Sequence, residues 1–460
     1  MTRRDLAAVP VAFWLRRVDA AVTPDIVRFE TGIEPLVALI EKTPRGRCPE
    51  MAAEQLRRGV SYRQFMAALF LAGIRNVNPR PPGFALHCVF VIHSAHQLSL
   101  EAPPDIRLLP MFYALDLFKA SQDRDAAAKS GDWTMTALRG PLPDPARART
   151  ELEAAMEAWD PERAERAVAA MVRGGDAPAA MEAMWEYGAR DYRNIGHKAI
   201  FPASAHRTLQ MIGWRHAEPV LRSVVLGLLD FGKELKVNGY TLMDQCYGSN
   251  RRRLTHVPPK LHQPAVDAET RAALGVLREW PLTEACAELA SRLSQGRLSG
   301  ESAWDAAHLA AAELALRAKA GGVIGGIHAV SAVNALRYAF TAAQDSRVRP
   351  LLLLQALGWM VQFRTFIESN PENVRAFDVT AEAPPRDGAY FQDAMRMAFT
   401  RAGEVHYYKY LAAIMEDSAL VSLRWQPNIA GALEAYRKFP SDSETPAAKA
   451  AAEALKLLAG

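Results

Sequence analysis

Cysteine is scarce in this chain of 460 residues: Cys48, Cys88, Cys246 and Cys286 are the whole complement, and no two form a CxxC pair. That excludes a disulfide framework and a zinc knuckle, and it fits reduced thiols in a cytoplasmic protein. Alternating β-branched runs are also sparse, which argues against a sheet-built fold. Neither sign of charge dominates: 55 basic and 51 acidic residues leave +4, spread along the chain, so no basic stripe calls for nucleic acid. The most apolar run, Leu351 to Phe363, is interrupted by Gln355 and Gln362 and flanked by Arg349 and Arg364. As a sequence it is too short to span a bilayer. No GxSxG elbow supports a hydrolase triad, and GGVIGG at 321–326 lacks the GxGxxG spacing of a dinucleotide site. The N-terminal stretch TRRDLAAVPVAFWLRRVDAA has paired arginines, but its apolar run is closed by Arg16, Arg17 and Asp19. It reads as mature protein, not as an export signal.

What the chain does have is alanine, leucine, arginine and glutamate, with repeated helix start and stop signals. The expectation is an all-α protein in a single domain over 1–460: N-terminal helices in 1–80, a histidine-bearing core in 81–440 and a C-terminal helix in 441–460. Asp160-Pro161 opens a helix that Gly174-Gly175 ends, Thr283 and Ser302 are expected caps, and Thr445-Pro446 starts the last helix. Arg251, Arg252 and Arg253 read as a solvated turn.

A repeat organises the middle of the chain. Four times a histidine near the start of an apolar helix is followed by a proline that leads a second helix: His87 with Pro110, His197 with Pro219, His328 with Pro350, and His406 with Pro427. The separations are 23, 22, 22 and 21 residues. The expected architecture is a set of helical hairpins arranged as a solenoid or toroid-like bundle around a central site. Equivalent positions then point to a common axis, where imidazoles converge on something that binds them.

Helical geometry sorts the remaining histidines. Residues nine apart face opposite sides at about 100° per residue, so His96 and His206 cannot join His87 and His197. His93 and His96 share a face and form a fallback pair. His216, His256, His262 and His308 read as surface or structural. Lys409, three residues after His406, leaves the same face about 60° away. By spacing alone it is a solvated lysine snorkelling from a Tyr-rich helix. Desolvated beside a metal it would lose its proton and, with carbon dioxide, form a carbamate that offers oxygen ligands. Four imidazoles and an oxygen donor suit iron, copper, zinc or nickel, and not magnesium or calcium.

The segments GHKAI at His197, GGIHAVSAVNALR at His328 and EVHYYKYLAAI at His406 and Lys409 resemble the questin oxidase-like family, helical proteins linked to oxidative cleavage of aromatic polyketide rings. The likeness runs loosely from Leu86 to Leu420. It implies metal ligands at His87, His197, His328, His406 and a carboxylated Lys409. It also implies non-haem iron, dioxygen, and an aromatic or polyketide-like substrate. The chain departs from the family pattern at Phe201 and Asn334, where further histidines are expected. Whether an external reductant such as NADPH takes part is left open. The alternatives are a metal-free helical scaffold that binds a protein or lipophilic ligand, and, third, a metal-dependent hydrolase.

Overall fold

A computed structural model describes residues 26–127, 133–232, 243–257, 261–437 and 442–459. The N-terminal stretch read as mature protein lies outside the described residues. The chain is all-α, as its composition predicts. The helices are α1 (Glu34–Lys42), α2 (Cys48–Arg57), α3 (Tyr62–Asn76), α4 (His87–Glu101), α5 (Leu109–Ala126), α6 (Pro145–Ala158) and α7 (Pro161–Arg173). They continue with α8 (Ala177–Ala189), α9 (His197–Ile212), α10 (Ala217–Leu228), α11 (Met243–Arg253), α12 (Asp267–Glu279), α13 (Leu282–Ser294) and α14 (Gly300–Arg317). The last are α15 (Val323–Ala342), α16 (Val348–Glu368), α17 (Gly388–Arg401), α18 (Val405–Leu420), α19 (Gln426–Gly431) and α20 (Pro446–Ala459).

Local chemistry sets these boundaries. The Asp160 carboxylate accepts from the Arg163 amide at 3.1 Å and α7 stops before Gly174, as its sequence predicts. Two expected caps shift. Helix α13 begins at Leu282 behind Pro281, so Thr283 lies inside its first turn. Helix α14 is capped by Ser299, whose hydroxyl accepts from the Ser302 amide at 3.1 Å, and it ends at Arg317, short of the glycines. Arg251 to Arg253 form the last turn of α11, not a free turn, and Arg251 pairs with Glu157 and Glu186.

The four histidine segments become hairpins. Each first helix packs on its successor: α4 on α5, α9 on α10, α15 on α16, α18 on α19. The first helices also touch one another in a closed circuit, α4 to α9, α9 to α15, α15 to α18 and α18 back to α4. Four inner helices are thereby backed by their own hairpin mates. Regularity fails in the fourth hairpin, where Pro427 leads only the six-residue α19 before a 3-10 turn. His328 sits in the second turn of α15. The glycines before it act in packing: a Cβ on Gly326 would stand 2.7 Å from the Ala315 Cα of α14, so only glycine allows that approach.

Helix α16 corrects the reading of the apolar run. At 21 residues it is long and apolar enough to cross a membrane, with 89% of its most apolar window buried inside the fold. Its neighbours include α8, α11, α12, α13, α14 and α15. The C-terminal α20 packs across α2 and α5, tying the two ends of the described chain together.

Candidate metal centre

His87 and His197 open α4 and α9, His328 stands one turn into α15, and His406 is the second residue of α18. All four are 1–4% exposed. The circuit of inner helices brings their rings together. His87 Nε2 lies 2.9 Å from His197 Nε2, which lies 3.2 Å from His328 Nε2. His87, His197 and His328 form a group whose ligand atoms lie within 4.8 Å of one another. The His406 ring stands against this triad, its centroid 4.8 Å from that of His87 and 5.0 Å from that of His328.

The other ring nitrogens fix the chemistry of the inward ones. His197 Nδ1 is 2.7 Å from the Asn194 carbonyl and His328 Nδ1 is 2.7 Å from the Ile324 carbonyl. His406 Nδ1 is 2.5 Å from Glu404 Oε1. A carbonyl or carboxylate only accepts, so each of these Nδ1 atoms carries the hydrogen and each Nε2 presents a lone pair. Two lone pairs 3.2 Å apart repel unless a cation or proton lies between them. Two nitrogens held about 2 Å from one ion are separated by about 2.9 Å at right angles and about 3.3 Å in a tetrahedron, the spacings seen here. The His406 Nε2 is buried without a hydrogen-bond partner. The residues therefore fit a transition-metal ion.

Burial, above all, lowers the pKa of all four imidazoles, and the nearby Lys409 adds to the effect in each. Neutral imidazoles are the form that ligates. Lys409 Nζ is itself buried with no hydrogen-bond partner. Burial pulls its pKa down to about 7, with only Glu404 opposing. The solvated, snorkelling lysine expected from spacing is overturned: Lys409 is 5% exposed, its Nζ 5.8 Å from the centre of the Phe90 ring.

Backbone strain accompanies the site. Asn194, Ile195 and Gly196 are consecutively left-handed, with φ of 66°, 49° and 82°. A β-branched residue there is a true outlier, costing on the order of 1–3 kcal/mol. The turn brings the Asn194 carbonyl under the His197 ring. Gly196 is needed because a Cβ would meet that of Ala332 at 3.0 Å.

The other histidines go elsewhere, as helical geometry predicts. His96 stacks on Tyr62, and His206 Nδ1 meets the Tyr338 hydroxyl at 2.7 Å. The fallback pair His93 and His96 does not join the cluster. His308 is a core residue 3.4 Å from Asp417 Oδ2, and His216 is also buried. Phe201 fills the space beside Phe90 at a ring separation of 5.2 Å. Asn334 ties Arg207, Glu416 and Asp417 together. Sequence reasoning missed Glu404, Phe90 and Arg207. Only Glu404 had a readable signal, an acid two residues before a candidate ligand. No family profile matches the chain, and no curated protein or solved structure was found to be similar to it.

Proposed function

We propose that this protein is a non-haem iron oxygenase, similar to the questin oxidase-like family, acting in the cytoplasm on an aromatic or polyketide-like small molecule. His87, His197 and His328 hold the metal, His406 completes the set of imidazoles, and Lys409 joins as a carbamate. The observation that carries the reading is the convergence of inward lone pairs from separate hairpins in the buried interior. Iron bound there supplies the means to activate dioxygen.

The residues of the chain prepare that chemistry. Asn194, Ile324 and Glu404 hold three imidazoles in the ligating tautomer, the support that metal-binding histidines require. Neutral Lys409 has a free lone pair at Nζ. Attack on the carbon of carbon dioxide forms an N–C bond and releases one proton, leaving a carbamate whose oxygens reach toward the imidazoles. Phe90 and Phe201, which pack ring against ring, and Ile200 keep the surroundings apolar, the kind of lining an aromatic substrate prefers.

The test is elemental analysis of protein purified without an affinity tag. About one equivalent of iron per chain is expected, absent from His328→Ala and His406→Ala variants that keep their helicity by circular dichroism. Metal-free wild-type protein of full helicity would contradict the proposal and favour the scaffold reading.

A further inference from the structure

The inner helices carry a second regularity below the histidines. Counting from each histidine, positions 3, 7 and 10 stay on one face of its helix, as a and d positions of a heptad do. At position 7 the residues are Ser94, Ser204, Ala335 and Ala413. A packed bundle axis would carry leucine or phenylalanine there. Here no side chain is longer than serine, on any of four helices. One turn closer to the imidazoles the four positions are Phe90, Ile200, Ser331 and Lys409, all more than nine-tenths buried. The Ser331 Oγ and the Lys409 Nζ have no hydrogen-bond partner. Buried polar groups are normally satisfied, and these two have no partner among the described residues, which leaves them open to a bound group.

At position 10 the axis is closed by Gln97, Arg207, Tyr338 and Glu416, all only partly buried. Arg207 donates to Glu416 at 2.6 and 2.8 Å and to Asn334 Oδ1 at 3.1 Å. Its guanidinium lies 3.9 Å from the centre of the Tyr338 ring. Solvent reaches this end, since the Glu416 side chain is 27% exposed. Ten residues of helix separate it from the histidines, about 15 Å along the axis.

We infer that the axis between the histidines and Arg207 is a binding channel for an elongated planar aromatic compound. Its reacting end lies at the imidazoles, and its carboxylate or phenolate lies at Arg207. The inference rests on the proposed function only in assigning the reacting end. Phe90 supplies an aromatic wall, and Ser331 supplies a hydrogen bond one turn from the imidazoles. Asn334 and Tyr338 hold the guanidinium in place, so an incoming anion can displace the partly exposed Glu416 carboxylate from it. Charge is conserved in that exchange, and the planar fork of arginine suits both partners.

The experiment combines thermal unfolding of Ala413→Leu and Ser204→Leu with calorimetric titration of 2-naphthoate and its neutral isostere 2-naphthamide, each into protein of measured iron content. If the channel is open, neither substitution lowers the Tm. Wild-type protein binds 2-naphthoate at least about tenfold more tightly than 2-naphthamide, and Ala413→Leu weakens 2-naphthoate by about tenfold or more. A Tm fall of several degrees in both variants, as overpacking of a filled core gives, would overturn the channel. So would unchanged affinity in Ala413→Leu or no binding to the wild type. Equal affinity for the two probes would overturn the anion assignment. Iron-free protein that shows the expected probe behaviour would leave the channel standing while the iron proposal fails.

Discussion

Lys198 and Lys409 lie on inner helices, close to His197 and His406 in sequence, and both are at most 5% exposed. Their surroundings differ. Lys198 Nζ donates to Asp191 Oδ2 at 2.6 Å and to the Asp230 carbonyl at 2.6 Å. Asp191 in turn accepts from Arg193 Nε at 2.8 Å. Burial lowers the Lys198 pKa, and Asp191 opposes that shift. Lys409 has no hydrogen-bonded counter-group; Glu404 opposes the shift only through space, and burial brings the amine down to about 7. Burying a charge is therefore compatible with a purely structural role when hydrogen bonds complete it. A buried amine left without partners beside lone pairs is in place for chemistry.

Breaking one side of this comparison should have the larger effect. Lys198→Met leaves Asp191 and Arg193 in a dry interior without their third member, and urea unfolding should show a loss of about 3–5 kcal/mol. Lys409→Met should act in the opposite direction on metal-free protein. The folded amine titrates near 7 and the unfolded one near its ordinary value of 10.5, so between those values the unfolded state binds the extra proton. Stability of the wild type consequently rises with pH across that window, and the penalty of the lysine is full below it. The substitution should stabilise metal-free protein at pH 7 by about 2–4 kcal/mol, a gain that fades toward pH 10.5 in parallel urea titrations. The smallest effect sharpens the comparison at the ligand end. Glu404→Gln weakens the hold on the His406 tautomer and should reduce iron affinity by about 10–100-fold in competition with a chelator, with little change in unfolding.

The helical class and the hairpin repeat were legible in the sequence because they rest on local signals: caps, prolines, and the interval from histidine to proline. The same locality separated His87 and His197 from His96 and His206. Lys409 was not legible, because a lysine on a Tyr-rich helix is solvated or buried according to what packs on it, and Phe90 arrives from another hairpin. The same limit hid the Arg207–Glu416–Asn334 junction, which joins three hairpins. It hid the proximity of Cys246 and Cys286, 40 residues apart with sulfurs 3.4 Å from each other. The α16 run misled because its glutamines and arginines break a hydropathy run without breaking the helix: Gln355 is fully buried and donates to the Ala189 carbonyl. The left-handed turn before His197 shows as a glycine in the sequence, but the strain at Ile195 does not.

Anomalous diffraction at the iron absorption edge, from crystals of protein purified without a tag and grown with bicarbonate, tests the central claim most directly. The account predicts one peak within bonding distance of the Nε2 atoms of His87, His197, His328 and His406, with carbamate density continuous with Lys409 Nζ. An empty centre in crystals supplied with ferrous iron, or a peak bound elsewhere on the chain, would contradict it.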